Sequence, residues 1–473
     1  MRPPLLSPAA NRRDFLRLSA GGGAAALLGQ LGVIGALGAG PARADASTFR
    51  AMVGVFLFGG ADNWNMIVPT DTRYSAYATG RGATLALPQA SLVPLPGVPF
   101  GLHPSFAPLA TAWNEGALAP VLNVGTLSQP LTKAQYQASS ANRPLALFSH
   151  SDQQNEWQGL RMREVNRDGF MGRANDREAA TTVPDLISLG GSSLILIGNR
   201  SSPLILPSNG GLTRNGFNAG ATDAPTTTRQ SALTAFADGG TGTTVTGTTA
   251  TSLTNNYGLA VTANAVLTGT TSIVDQYFKN TVTGVALTSD VSKQLLRVAR
   301  MIEARSTLGH SRQTFFASQG GYDTHANQVD AGSTTTGTQA NLYADLAQAL
   351  AAFYAAMKAL SLGDNVTLFT MSDFGRTFRV NANLGTDHAW GNNHLMLGGA
   401  VKNQTAFGTY PDVTLGGVQD TDTNGRWIPT TAVEEYIAPI AQWYGVAAAD
   451  LPYVFPNYAT WTTLPRKVLG LFG

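Results

Sequence analysis

The sequence contains no cysteine. A disulfide framework and a thiolate metal site are therefore both excluded, and any metal must be held by oxygen and imidazole donors. Histidine is scarce as well, with six in 473 residues, so a local concentration of histidines carries information. Excess charge is also missing. The formal charge is +2, and its surplus sits at one end: residues 1–44 hold five arginines, no lysine and one acid, Asp14, leaving 26 basic against 28 acidic residues beyond them. A near-neutral body offers no electrostatic footing for nucleic acid or an anionic membrane surface. Beyond residue 44 no apolar run reaches the roughly 20 residues that a membrane-crossing helix needs.

What the first 44 residues contain reads as an address. Asn11-Arg12-Arg13-Asp14-Phe15-Leu16-Arg17 resembles the twin-arginine export motif, and a weakly apolar Gly/Ala-rich segment follows from Leu18 to Gly40. Ala42-Arg43-Ala44 then places small residues at the two positions a signal peptidase reads. An uncleaved anchor fits less well, because Gly21 to Gly23, Gly38 and Gly40 dilute the apolarity of a span. The expectation is a twin-arginine signal peptide over 1–44 and a periplasmic or secreted product, free of the membrane after cleavage.

The richest stretch runs from Asn365 to His394. Val366 to Met371 is a short apolar run with Gly363 before it and Gly375 after it, the pattern of a buried strand. Asp373 then falls at the carboxyl end of that strand, where open α/β sheets keep their ligands. Asp387, His388 and His394 follow within about twenty residues, a dense supply of metal-ligand types.

The rest of the chain repeats the pattern. Ala51 to Phe58 reads as a buried strand that ends at Gly59-Gly60 and delivers Asp62. His103-Pro104 opens a helix expected to run through Trp113, with His103 capping or packing there, and Leu118 to Val124 returns as a strand. Ser149-His150-Ser151-Asp152 is the most polar cluster of the first half. Residues 181–285, with the Thr/Gly-rich stretch Gly239 to Thr271, read as an insertion or cap on a single domain spanning 45–473. A helix over Ser292 to Leu308, a strand over Gln313 to Ser318, a helix over Gln339 to Leu362 and the strand from Val366 give the alternation of an α/β layered core. His310, in the loop after the arginine-rich helix, is expected to be solvated. The strand from Gln313 to Ser318 delivers Asp323 and His325.

Three strand ends thus supply Asp62, Asp323 with His325, and Asp373, while the last loop adds Asp387, His388 and His394. Carboxylates and imidazoles converging on one sheet edge suit a divalent cation, which offsets the repulsion that clustered acids would otherwise suffer. Zinc is the first choice, with manganese, calcium or magnesium as alternatives. Taken singly, each aspartate is as readily a turn or helix cap. The joint pattern carries the metal reading.

Phe56 to Asn65 (F-L-F-G-G-A-D-N-W-N), Gly101 to Pro104, Ser149 to Trp157, Gly321 to His325, Ser372 to Thr377 and Gly385 to His394, together with the leader, resemble a bacterial exported family. It is catalogued as domain of unknown function fifteen-oh-one and grouped with the alkaline phosphatase and sulfatase superfamily. The resemblance implies an alkaline-phosphatase-like three-layer sandwich with a mostly parallel central sheet, two metals and a Ser or Thr nucleophile. On that pattern Asp62, Asp323, His325, Asp373 and either His388 or His394 are metal ligands. Phe374 stands where the superfamily has a ligand histidine, and Ser149 or Ser151 would be the nucleophile. Arg376 would clamp an anion. The function so implied is a metal-dependent hydrolase of phosphate or sulfate esters acting on a small-molecule or glycan ester. The competing reading is a non-catalytic envelope protein that binds glycans or a co-exported protein partner.

Overall fold

The computed structural model describes residues 49–178, 181, 183–211, 222–238, 262–269, 272–462 and 469–472. The leader, 1–44, and most of the stretch Gly239 to Thr271 lie outside the described residues. The strands in the first half are β1 (Arg50–Leu57), β2 (Ile67–Pro69), β3 (Val93–Pro94), β4 (Phe100–Leu102), β5 (Leu118–Gly125), β6 (Leu186–Ser188) and β7 (Leu204–Ile205). The second half supplies β8 (Arg312–Gln319), β9 (Val366–Ser372), β10 (Asn392–Leu397), β11 (Phe407–Gly408) and β12 (Thr431–Ala432). Five helices matter below: α1 (Arg73–Leu85), α2 (His150–Gly159), α3 (Asp290–Glu303), α4 (Thr338–Ala359) and α5 (Val433–Tyr444).

Nine strands form one sheet in the order β11-β5-β10-β9-β1-β8-β6-β7, with β12 also beside β5. β1 lies parallel between β8 and β9, β6 is parallel to β7 and β8, and β10 runs antiparallel to both its neighbours. The protein is therefore mixed α/β with a large, mostly parallel sheet. A separate three-stranded sheet joins β2, β4 and β3.

Central parallel strands are covered on both faces and so read as near-continuous apolar runs. β1 shows the two-residue alternation: Ala51, Val53, Val55 and Leu57 enter one core, Met52 and Phe56 the other. The first core is closed by α3 and α4, which bury Leu295, Val298 and Ile302, and Leu346, Leu350, Phe353 and Met357, at helical spacing. The second is closed by α5, with Tyr436, Ile437 and Ile440. Each such buried side chain stabilises the fold by about 1.5–3 kcal/mol.

Three expectations change. Residues 104–109 form a 3-10 helix and only 110–114 an α-helix, because Pro108 lacks the N–H that an α-helix would use there. His310 is buried, with Nε2 2.8 Å from the Val183 carbonyl and Nδ1 accepting from Gln313 at 2.9 Å. Within 181–285, β6 and β7 extend the main sheet beyond β8, so that segment is not wholly an addition to it.

The register sets up the site. Leu57 at the end of β1 pairs with Gln319 at the end of β8 and Ser372 at the end of β9, so the segments that follow leave from one edge. Gly59, at φ +111°, makes their approach possible: a Cβ there would stand 2.4 Å from the Asp323 amide nitrogen.

Candidate metal centre

Asp323 Oδ1 is the focus of the edge. His325 Nε2 lies 3.1 Å from it, His388 Nε2 3.3 Å and His150 Nε2 3.4 Å, while Arg376 Nη1 donates to it at 2.9 Å. The ligand atoms of His150, Asp323 and His388 fall within 4.8 Å of one another, and His325 Nε2 is 2.8 Å from His388 Nε2.

The other nitrogen of each ring is already engaged. His150 Nδ1 meets Asp373 Oδ2 at 2.6 Å, His325 Nδ1 meets Asp387 Oδ1 at 3.0 Å, and His388 Nδ1 meets the Phe148 carbonyl at 2.7 Å. A carbonyl or an ionised carboxylate can only accept, so each Nδ1 carries a proton and each neutral ring turns its Nε2 lone pair inward. Metal-bound histidines are held in this way by an outer oxygen. His150 Nε2 is inaccessible to solvent and has no hydrogen-bond partner among the described residues. The residues that fit a cation are His150, His388 and Asp323, with the His325 Nε2 beside His388 and Asp323.

Charge points the same way. Arg376 pairs with Asp323, while Asp373 and Asp387 face His150 and His325, which leaves two negative charges when the imidazoles are neutral. Burial would raise the Asp323 pKa, but the charge and hydrogen bond of Arg376, with His150 and His325, hold it below the usual carboxylate range. Asp387 is likewise held low by His325 and Asn381 against burial. The Asp373 hydrogen bond raises His150, whereas burial lowers His388.

The expected ligands divide. Asp323, His325 and His388 come together. Asp373 is fully buried and, besides His150, accepts from Gln154 Nε2 at 2.9 Å and the Gly59 amide at 3.3 Å, so it orients the His150 ring from behind. Asp62 sits deeper, ion-paired with the fully buried Arg81 and accepting from Gln328 Nε2 at 2.6 Å. Losing either member of a buried pair of this kind costs about 3–5 kcal/mol.

His394 is in β10, not a loop, between the rings of Trp157 at 5.2 Å and Tyr436 at 5.9 Å. Burial drives its pKa down to about 3, and it belongs to the core. Arg376, expected as an anion clamp, is fully buried and spends its guanidinium on Asp323 and on the Thr386 carbonyl at 2.7 Å. Ser149 Oγ donates to Asp152 Oδ2 at 2.6 Å and lies 3.1 Å from Ser151 Oγ, which places both hydroxyls in the opening turn of α2.

The candidate ligand that sequence reasoning missed is His150. Its signal was the polar run Ser149 to Asp152, read there for its serines. The Phe374 ring packs 4.8 Å from both His150 and His388. His150 brings an imidazole to the same neighbourhood from another part of the chain.

Fold and site together define a mixed α/β protein with a histidine–carboxylate cluster at the carboxyl edge of a mostly parallel sheet. The family described as "Protein of unknown function (DUF1501)" matches residues 100–426, and the chain belongs to that family. No curated protein matches it. Among solved structures, one titled as Ps i-CgsB in complex with k-i-k-neocarrahexaose is 9% identical, with 88% of this chain and 78% of that chain covered and a TM-score of 0.33. Another, titled for glycosaminoglycan metabolism by Bacteroides thetaiotaomicron, is 9% identical, with 87% and 83% covered and a TM-score of 0.31. Scores this low establish no shared fold.

Proposed function

We propose that this chain is an exported, metal-dependent hydrolase of phosphate or sulfate esters, with an alkaline-phosphatase-like arrangement of sheet and site. One observation carries the reading: three histidines whose Nδ1 atoms are committed to oxygens direct their Nε2 atoms at one carboxylate oxygen. His150, His325, His388 and Asp323 would hold the cation. Three imidazoles favour zinc over manganese, calcium and magnesium, which prefer oxygen donors. Bound there, the cation would supply Lewis-acid polarisation of an ester oxygen.

The chain's own residues contribute orientation. Asp373, Asp387 and the Phe148 carbonyl fix the imidazole tautomers, and Arg376 restrains Asp323. The export assignment rests on the Arg12-Arg13 motif and the small residues Ala42 and Ala44; no helix among the described residues is long and apolar enough to cross a membrane.

A second reading is supported by the serines and Arg376. With both hydroxyls in the α2 turn and the guanidinium buried on Asp323, neither a nucleophile nor an anion clamp stands ready, which suits a non-catalytic protein binding a glycan or a co-exported partner. Metal analysis of the purified mature protein, followed by phosphatase, phosphodiesterase and sulfatase assays, separates the two. The hydrolase reading expects turnover that Asp323→Ala abolishes, and full activity in that variant sinks it. A metal-loaded protein inert on every ester yet retained on polysaccharide supports the second.

A further inference from the structure

Gln328 is fully buried and its side chain hydrogen-bonds to none of the histidines, but it joins the two turns that carry the candidate ligands. Its Oε1 accepts from Thr324 Oγ1 at 2.9 Å and from Thr386 Oγ1 at 2.5 Å. Thr324 lies between Asp323 and His325. Thr386 precedes Asp387 and His388, and its amide donates to the Thr324 carbonyl at 3.1 Å. The Gln328 amide nitrogen donates to Asp62 Oδ2 at 2.6 Å and Gln339 Oε1 at 2.8 Å. Both donors and both lone pairs of the side chain are thus engaged.

The direction of this amide is not free. Asp62 shares Oδ2 with Arg81, whose Nη1 donates to the Phe378 carbonyl at 3.1 Å and whose Nε donates to Asn65 Oδ1 at 3.0 Å. The Asp62 backbone carbonyl is held by Gln339 and Tyr343, each at 2.8 Å. A carboxylate fixed in this way can only accept, so it turns the Gln328 NH2 toward itself and presents Oε1 to the two threonines.

We propose that Gln328 is a positioning residue of the cation centre, oriented by the Asp62–Arg81 pair, and that it holds the Asp323–His325 turn in register with the Asp387–His388 turn. The assignment rests on the cation reading above. It gives Asp62 a role in the centre two hydrogen bonds removed from the ligands.

The test compares full-length mature protein with Gln328→Met and Thr386→Val, each checked by circular dichroism for wild-type folding. Co2+ affinity is measured by competition with a chromophoric chelator, and the visible Co2+ spectrum is recorded. Imidazole 15N spectra of the metal-free proteins are recorded alongside, with His103 and His310 as internal references. The expected result is a loss of about tenfold or more in Co2+ affinity, an altered Co2+ spectrum, and displaced His325 and His388 imidazole signals with the references unmoved. Folded variants with wild-type Co2+ affinity and unmoved His325 and His388 signals overturn the assignment. If wild-type protein takes up no Co2+, the cation reading fails by itself, and the metal-free spectra still decide: displaced signals support the tie and unmoved signals overturn it. Should Gln328→Met not fold, Thr386→Val carries the same two outcomes.

Discussion

His325 Nε2 and His388 Nε2 lie 2.8 Å apart, while the Nδ1 atoms of both rings face oxygen acceptors. Two inward lone pairs at that separation repel unless something positive lies with them. The cluster is thus incomplete as a set of neutral side chains; a proton between the two rings or the proposed cation would complete it.

The histidines can be told apart by substitution. His150→Ala and His388→Ala are expected to lose bound cation, whereas His394→Gln keeps wild-type cation stoichiometry, because His394 is packed between Trp157 and Tyr436. Equilibrium dialysis followed by metal analysis checks this. Loss of the metal in His394→Gln alone would reverse the assignment.

The outer carboxylates have a graded effect. Asp373→Asn and Asp387→Asn each remove the anionic acceptor of one Nδ1 proton and are expected to weaken cation affinity about 10–100-fold, less than loss of a ligand. A chelator-competition titration gives the order of the effects.

Gly59 couples backbone to site. Its φ of +111° and the 2.4 Å between a built Cβ and the Asp323 nitrogen make Gly59→Ala strained, at a cost of roughly 1–3 kcal/mol. The expected outcome is a lower Tm together with weaker cation binding, because the strand ends carrying Asp323 and Asp373 are pushed apart.

Glu434, buried in the first turn of α5, ties stability to pH. Burial raises its pKa from 4.5 to about 8. The folded state therefore keeps a proton that the unfolded state has lost, and the stability tied to it is full below pH 4.5 and declines as pH rises through about 8. Glu434→Gln removes this dependence, so its Tm advantage over wild type should grow from acid to alkaline pH in thermal melts. A constant difference between the two proteins would contradict it.

Much of the core was legible because central strands such as β1 and β9 are largely apolar and are followed closely by glycine or aspartate, a local signal. Asp323, His325 and His388 stood out for the same reason. Convergence is not a local property. Nothing in residues 149–152 says that α2 will carry His150 to Asp373, or that Asp62 will find Arg81 instead of a metal. His394 was read as a loop residue, together with Asn392 and Asn393 before it. They serve instead in β10, where Asn392 Nδ2 donates to the Ala61 carbonyl at 3.0 Å and Asn393 Oδ1 accepts from the Asn123 amide at 3.0 Å.

X-ray absorption at the zinc edge, on protein loaded with zinc and freed of excess, addresses the cluster itself. The expected spectrum shows about three imidazoles and one oxygen at about 2.0–2.2 Å, with one imidazole lost in His150→Ala. A spectrum of oxygen scatterers without imidazole, or protein that retains no zinc, would contradict it.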